Sequence, residues 1–452
     1  MRSENSVTFE SAARTVFILS VMAGAGLVGV NALAAAKPGK RPAGGKDIAP
    51  VFLKDNPLKK LPSKPGPHIA KIKAMKPGTW LNLGSPAADP KWGRARGRSW
   101  GGQAMVPAPE FRGAMFTGEG VHAGVKPDGY GMDDWWFYDI NSHAWICVWP
   151  GTNTRELERQ VKEGKIKVDG KGRAVDGSGQ PVPAHILVHT YSHLTYNPDG
   201  KKFAVFPTFT KPFEKYFFPG LAWNAKKSVK KSVNDAIDAL RAQGLHKKKA
   251  LFGPWTYDMK TGRFDLPVVK QRFPGIKFGV LAYIPRKKQY LTINGSTLAY
   301  FDPATGRPSR AIKTPLGGIE PIFCHDAKRD RIYCGTKTDH FHCINLKDNS
   351  STRIKFPASK SHMLKVHSSS AVFDVANDRA LVFYWGRGKS GKIYPIDAAT
   401  NKVMKPVPFG PFKRGSTNAA FYDPELAVTF IFPASDSGDN GRMWVYRHKD
   451  AE

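Results

Sequence analysis

The chain has 452 residues, 41% of them hydrophobic, and a formal net charge of +32, so it can bury a sizeable core and carries a cationic excess that favours anionic partners. Its 44 glycines and 35 prolines favour many short strands joined by turns over long helices. Its four cysteines are too few for a fold held together by a disulfide framework.

The first element is an N-terminal export segment, residues 1–36. A polar start ending in Arg14 precedes the uncharged run TVFILSVMAGAGLVGVNAL, and the small residues Ala32 and Ala34 lie at its end. This order predicts a signal peptide with an A-x-A cleavage site, and the alternative is an uncleaved membrane anchor. Both alternatives predict that the rest of the chain is extracytoplasmic, secreted or periplasmic. A membrane contact is expected only through an uncleaved segment.

Residues 37–75 are rich in proline and lysine and predict a mostly extended basic arm. The charges of the first 36 residues cancel, so the whole cationic excess belongs to residues 37–452. In an exported protein this excess favours an acidic or sulfated polysaccharide, the envelope surface or an acidic protein over specific nucleic acid. The alternative interpretation is a solvated surface on which lysine is merely common.

A strand–turn–strand sequence motif then occurs six times along the chain. Each copy has apolar runs on both sides of a turn rich in proline, aspartate, glycine or alanine, as a β-hairpin requires. The copies are AMVPAPEFRGAMF (104–116), HLTYNPDGKKFAVF (193–206), VLAYIPRKKQYLTI (280–293), IFCHDAKRDRIYC (322–334), AVFDVANDRALVF (371–383) and AAFYDPELAVTFIF (419–432).

A second motif follows each of the first five copies and supplies a third strand, an Asp- or Asn-containing turn and a fourth strand. It begins at 138, 257, 301, 344 and 396, and the last three intervals are 44, 43 and 52 residues. Four short strands at such a period predict the blades of a six-bladed β-propeller. The sixth blade ends at 449 before its fourth strand. KPGTWLNLGS (76–85), with Trp80, is predicted to supply that strand and close the ring.

Blade 1 resembles the kelch family. Gly118, Glu119 and Gly120 lie where kelch repeats carry paired glycines, and Tyr138 and Trp145 have the spacing of the family's aromatic pair. Over 76–449 the chain is similar to exported bacterial kelch domains such as the propeller of galactose oxidase. The resemblance implies a single all-β propeller and implies little about activity.

Two insertions interrupt the repeats. One, about 151–184, is polar and lies between blades 1 and 2. The other, about 207–252, lies within blade 2 and contains SVKKSVNDAIDALRAQG. Here Val229, Val233, Ile237 and Leu240 recur at helical spacing, which predicts a short helix. We expect its apolar stripe to pack on the propeller; the alternative is a basic helix lying on an anionic surface.

Propellers bind ligands at a central funnel, formed by the starts of the innermost strands and the neighbouring loops. Aligning the six hairpins places a mixed polar, aromatic and cationic set there, which suits an anionic sugar. The same funnel is the expected location of any general base. The predicted ligand-binding residues are Trp100, His189, Tyr191, Lys277, Glu320, His367 and Arg414, and the catalytic candidates are His189, Tyr191, His193 and His367.

No metal site is predicted. His189 and His193 lie on an extended segment, where residues four apart are about 13 Å apart. The run CHDAKRDRIYCGTKTDHFHC (324–343) lacks the tight cysteine knuckles of zinc modules. It predicts a blade core filled by cysteine, and the pairing among Cys324, Cys334 and Cys343 stays open.

Two functions therefore remain. The first is an exported propeller that binds an acidic polysaccharide or an envelope partner. The alternative is a carbohydrate-active lyase or oxidase that uses funnel histidines and tyrosine. Cys147 lies on an outer strand, away from the funnel where the copper chemistry of galactose oxidase would need it. The residues identify no cofactor.

Overall fold

A computed structural model describes residues 55–95, 103–118, 129–131, 133–183, 192–206, 226–245, 251–269, 279–294, 296–316, 321–335, 340–356, 369–384, 391–410, 418–433 and 441–450. The predicted export segment therefore lies outside the described residues. Within these ranges no helix is both long enough and apolar enough to cross a bilayer.

The described secondary structure is mostly β-strand. The helices are Pro67–Lys73 (α1), Leu157–Lys162 (α2) and Lys227–Ala242 (α3). The strands, in chain order, are Trp80–Gly84 (β1), Met105–Ala108 (β2), Gly113–Phe116 (β3), Trp135–Asp139 (β4), Ala144–Trp149 (β5), Ile166–Val168 (β6), Ala174–Asp176 (β7), Leu194–Asn197 (β8), Lys202–Val205 (β9), Leu251–Phe252 (β10), Trp255–Asp258 (β11), Arg263–Asp265 (β12), Val268–Val269 (β13), Val280–Ile284 (β14), Gln289–Asn294 (β15), Thr297–Phe301 (β16), Ile312–Lys313 (β17), Ile322–Asp326 (β18), Arg331–Gly335 (β19), His340–Asn345 (β20), Ser351–Lys355 (β21), Ser369–Asp374 (β22), Arg379–Tyr384 (β23), Lys392–Asp397 (β24), Lys402–Val403 (β25), Val407–Pro408 (β26), Asn418–Asp423 (β27), Val428–Pro433 (β28) and Met443–Tyr446 (β29).

These strands form the predicted six-bladed propeller. Blade 1 is β2–β5, blade 2 is β8, β9, β11 and β12, blade 3 is β14–β17, and blade 4 is β18–β21. Blade 5 is β22–β24 with β25 and β26 both paired to β24, and blade 6 is β27–β29 with β1. The first strand of each blade is the innermost and contacts the first strands of both neighbouring blades, so the sheets form a closed ring.

The predicted closing strand is confirmed. β1 pairs antiparallel with β29, with Trp80 opposite Tyr446 and Leu81 opposite Val445. The Trp80 and Tyr446 rings stack with their centroids 4.5 Å apart. Blade 6 therefore takes three strands from the end of the described chain and one from its beginning. This pairing covers the hydrogen-bonding edge that β29 would otherwise expose.

The turn between the first and second strands ends in the same backbone conformation in every blade. In blades 4 to 6 an aspartate ends the first strand and accepts a backbone N–H from the turn, as Asp326 does from Arg329. The residue that ends each turn has a left-handed backbone, with φ between 49° and 58°, and these six residues are Arg112, Lys201, Lys288, Asp330, Asp378 and Ala427. The repeated motif in the sequence therefore corresponds to a turn that ends in the left-handed conformation in all six blades, and in blades 4 to 6 an aspartate side chain holds it.

The blades are buried on both faces. In β4, Trp135 and Phe137 pack in a core with blade 2, whereas Trp136 and Tyr138 pack in a core with blade 6. All five residues of this strand are buried. This two-sided burial explains why WWFY (135–138) is a continuous hydrophobic run rather than an alternating one.

Residues 55–79, which we term the strap, connect three blades before β1 begins. Asn56 donates two hydrogen bonds, of 2.8 and 3.0 Å, to carbonyl oxygens in the β11–β12 turn of blade 2. Gly66 donates to the carbonyl of Asn141 in the β4–β5 turn of blade 1. Arg447, after β29 in blade 6, donates to the carbonyl of Ile72. The strap thus lies across the blades where the ring closes.

The helix predicted within blade 2 is confirmed as α3. Its Val233, Ile237 and Leu240 are buried in the core shared by blades 1 and 2, and Val229 packs against that core. α2 packs against α3, and β6 pairs with β7 in a hairpin beside them. The apolar stripe of α3 therefore packs on the propeller.

Candidate functional site

Polar side chains connect distant blades at the end of the ring where the innermost strands begin. Gln103, just before β2 in blade 1, donates from Nε2 to the carbonyl of Ala371 in blade 5, at 2.9 Å. Its Oε1 accepts a longer hydrogen bond, 3.4 Å, from the backbone N–H of Phe323 in blade 4. The Ser192 hydroxyl of blade 2 donates to the carbonyl of Pro321 in blade 4, at 2.6 Å. All three hydrogen bonds join blades that are not neighbours in the ring.

Gln103 is only 7% exposed, so the channel at this level is occupied by protein. Removing this buried amide would leave two backbone groups without a hydrogen-bond partner, which is energetically costly. A ligand at this end of the propeller would therefore not pass through the ring at this level. The sequence pattern does not single out Gln103, although it lies only three residues after Trp100.

Of the predicted site residues, His193 alone lies within the described ranges. Trp100, His189, Tyr191, Lys277, Glu320, His367 and Arg414 lie outside the described residues. The predicted ligand-binding set therefore stays a prediction, as do the other catalytic candidates.

His193 is a fully buried imidazole at the start of β8. Its Nε2 accepts a hydrogen bond of 2.9 Å from the backbone N–H of Gly279, next to blade 3. Burial lowers the pKa of His193 to about 3, because the charged ring would lose its hydration. To act as a base, His193 would first have to release Gly279. In this geometry the neutral ring joins blade 2 to blade 3.

Two buried carboxyl groups precede the aromatic strand of blade 1. Asp133 accepts hydrogen bonds from both the backbone N–H and the hydroxyl of Thr152, at 2.8 and 2.6 Å. Asp134 accepts a hydrogen bond of 2.8 Å from the indole of Trp136. Burial raises the pKa of Asp133 to about 6. These contacts indicate that Asp133 and Asp134 hold the start of β4 in place.

The acid sensitivity of the fold provides a test of the His193 environment. Below pH 6.5 the unfolded chain binds a proton at His193, whereas the folded chain does not bind it until about pH 3. Stability contributed by the neutral ring is therefore lost as the pH falls below 6.5. We expect the destabilisation caused by H193Q to be about 2 kcal/mol smaller at pH 5 than at pH 7. Urea unfolding of both proteins at the two pH values measures this difference.

D133N is a control for which we expect the stability relative to wild type to change with pH in the opposite direction. The pKa of Asp133 is raised by burial, so protonation between pH 7 and pH 5 stabilises the wild-type fold, and D133N cannot gain from it. The stability of D133N relative to wild type should therefore fall on acidification. An H193Q penalty that is equal at both pH values would contradict the assigned environment.

The cysteines and histidines of blade 4 divide between its two faces. Cys324 and Cys343 lie in the core shared with blade 5, and Cys334 lies in the core shared with blade 3. All four cysteines of the chain are buried free thiols. The pairing that the sequence left open is thus resolved in favour of no disulfide. Among the described residues no cluster of histidine, cysteine or carboxylate side chains has the geometry of a metal site.

A further histidine pair lies where the strap contacts blade 1. His68 of α1 is hydrogen-bonded through Nε2 to the carbonyl of Ile140, at 2.7 Å, and its ring lies 5.4 Å from that of His143. His143 Nδ1 is 2.8 Å from the Tyr138 hydroxyl. Burial, followed by the charge of His68, lowers the pKa of His143 to about 4. These contacts fasten the strap to the β4–β5 turn.

Comparison with known proteins adds little beyond the fold. No protein-family model matches the sequence, and no curated protein is similar to it. Among solved structures, this chain is similar to hydrazine synthase from Kuenenia stuttgartiensis, with 12% identity, a TM-score of 0.33 and coverage of 54% of this chain and 55% of that one. It is also similar to a chain in the mitotic checkpoint complex, with 8% identity, a TM-score of 0.41 and coverage of 87% and 94%.

Proposed function

We propose that this protein is an exported, kelch-like propeller that binds an anionic ligand at its central funnel. The ligand is an acidic or sulfated polysaccharide, or an acidic partner of the cell envelope. The formal charge of +32 carries the proposal, because such an excess attracts polyanions and speeds their association. Propellers provide a ring of loops on which such a ligand can be held at several points.

The topology supports the funnel as the location. Each predicted ligand residue belongs to a segment that joins the last strand of one blade to the first strand of the next, and these first strands are innermost. Lys277 and Arg414 are the two cations among the predicted ligand-binding residues, and they would bind a carboxylate or a sulfate group. Gln103 joins blade 1 to blades 4 and 5 near the starts of the innermost strands, so we expect a ligand to be held at the surface.

The described surface offers further cations. Lys226, Lys227 and Lys230, at the start of α3, are exposed and form no ion pair with any described residue. Unpaired lysines near a helix N-terminus are electrostatically unfavourable for the helix itself. They are therefore better explained by an anionic partner than by helix stability.

The kelch part of the proposal rests on the aromatic pair of blade 1. Tyr138 and Trp145 are opposite each other on β4 and β5, and their rings meet edge to face with centroids 5.5 Å apart. Both side chains are fully buried.

Retention on sulfated polysaccharide beads tests the proposed binding. Wild-type protein should stay bound at about 150 mM salt and elute at higher salt, since exposed charge contacts are screened. The double variant K277Q/R414Q removes the two funnel cations and should bind the soluble polysaccharide at least about ten-fold more weakly.

The matched control is K313Q/K347Q, which removes two exposed lysines from the outer parts of blades 3 and 4. It lowers the net charge equally and should elute close to wild type. Equal loss of retention in both double variants would assign binding to overall charge rather than to the funnel. Absence of retention of the wild type at low salt would overturn the proposal.

A further inference from the structure

A polar cleft lies at the outer part of blade 2, beside the β6–β7 hairpin. Its volume is about 230 Å³. Its floor is formed by residues of β9, β11 and β12 and of the β11–β12 turn, and its wall is the segment Gly179–Pro181, which follows β7. Gln180 joins the two parts, because its side-chain oxygen accepts a hydrogen bond from the backbone N–H of Phe264. The cleft is thus built by the insertion between blades 1 and 2.

Two cations of the cleft have no anionic partner among the described residues. Lys202 and Arg263 are both cross-strand neighbours of Asp258, one on each side, and therefore share its face of the sheet. Neither forms an ion pair with Asp258 or with any other described residue. The carboxylate of Asp258 instead accepts the backbone N–H groups of Lys260 and Thr261.

Arg173, the third cation at the cleft, is already committed to the structure. It donates to Asp169 within the hairpin at 2.8 Å and to the carbonyl of Leu266 at 3.0 Å. It also reaches Asp265 at 3.2 Å. Arg173 therefore fastens the hairpin to the edge of blade 2, and Lys202 and Arg263 are left to bind a ligand.

The remaining polar groups select the kind of ligand. Asp258 and Asp265 also line the cleft, together with Thr256 and Thr261. Two carboxylates disfavour a dianion such as phosphate more than a monoanion, and they accept hydrogen bonds from sugar hydroxyls. The volume lies below the range of about 300–1,000 Å³ typical of drug-sized ligands, which suits a single sugar ring.

We infer that this cleft binds one uronic acid residue, with its carboxylate on Lys202 and Arg263 and its hydroxyls on Asp258, Asp265 and the threonines. The site is distinct from the funnel. Lys202 follows the first turn of blade 2 and Arg263 follows the second, so both lie at the end of the strands opposite to the funnel. The choice of a sugar acid rests on the proposed function, whereas the anion site itself does not.

Calorimetric titration with glucuronate tests the inference. The wild-type protein should bind it saturably with a dissociation constant of about 1 mM, the strength expected of so small a ligand. K202Q and R263Q should each weaken binding about ten-fold, because each loses one charge-assisted contact. Glucose, which lacks the carboxylate, should bind at least about ten-fold more weakly than glucuronate.

K260Q is the matched control, since Lys260 is an exposed lysine on the same turn that does not line the cleft. It should bind glucuronate as wild type does. K277Q/R414Q should also retain this binding, which separates failure of the funnel proposal from failure of the cleft. No saturable binding by the wild type, unchanged binding by folded K202Q and R263Q, or phosphate binding more tightly than glucuronate would overturn the inference.

Discussion

Replacing Trp80 with alanine is expected to lower the free energy of unfolding by about 2–3 kcal/mol. The indole stacks on Tyr446 and meets Phe409 edge to face, with centroids 4.5 and 5.2 Å away. It is half-buried, so the loss should be smaller than for a fully buried tryptophan. Because Trp80 lies on the strand that closes the ring, W80A should also expose the edge of β29 more often. Urea unfolding measures the first effect, and hydrogen exchange in β29 measures the second.

K76A is the control for this variant, since Lys76 is exposed on the strap four residues earlier. It should leave the free energy of unfolding within about 0.5 kcal/mol of wild type, as is usual for surface substitutions, and leave exchange in β29 unchanged. W80F should fall between W80A and wild type because it retains an aromatic ring. If W80A is as stable as wild type, the closing strand contributes nothing through this side chain.

Replacing Trp145 with alanine should have the larger effect, about 3–5 kcal/mol. The side chain is fully buried and lies between blade 1 and blade 6, against Phe116, Tyr138 and Phe432 at 5.7, 5.5 and 5.1 Å. The surrounding sheets are held by their own hydrogen bonds and can collapse only partly into the space. Urea unfolding of W145A against wild type is the measurement.

W145F provides the comparison within this site. The indole N–H of Trp145 has no hydrogen-bond partner among the described atoms, so phenylalanine loses volume but no hydrogen bond. W145F should therefore cost less than half of what W145A costs. Equal losses in the two variants would show that the nitrogen has a partner, and a loss below about 1 kcal/mol in W145A would contradict its role in the interface.

The candidate sites differ in how far the sequence could locate them. The funnel was predictable as a place, because six aligned hairpins identify which segments precede the innermost strands. The hydrogen bond that carries Gln103 across the funnel was not predictable, because its donor and acceptor lie 268 positions apart in the chain. A polar residue before an apolar strand carries no signal of which blade it will reach.

The cleft of blade 2 could not be predicted from the sequence, for a similar reason. Lys202, Asp258 and Arg263 become neighbours only through the register of three strands, and the second of these strands comes after the long insertion within the blade. The segment that forms the wall, Gly179–Pro181, belongs to a different insertion. In the sequence these charges are indistinguishable from the many other solvated lysines and arginines.

By itself the sequence determined the number of blades, the strand that closes the ring and the helix within blade 2. The blades and the helix depend on local patterns, namely apolar runs, turn residues and helical spacing, each complete within a few tens of residues. The closing strand followed from the repeat, because the sixth blade lacks a fourth strand of its own. The tertiary structure decided which face each cysteine occupies, how the strap connects blades 2, 1 and 6, and which cations lack an anionic partner among the described residues. Those outcomes depend on distances between residues far apart in the chain, which only the packing of whole sheets sets.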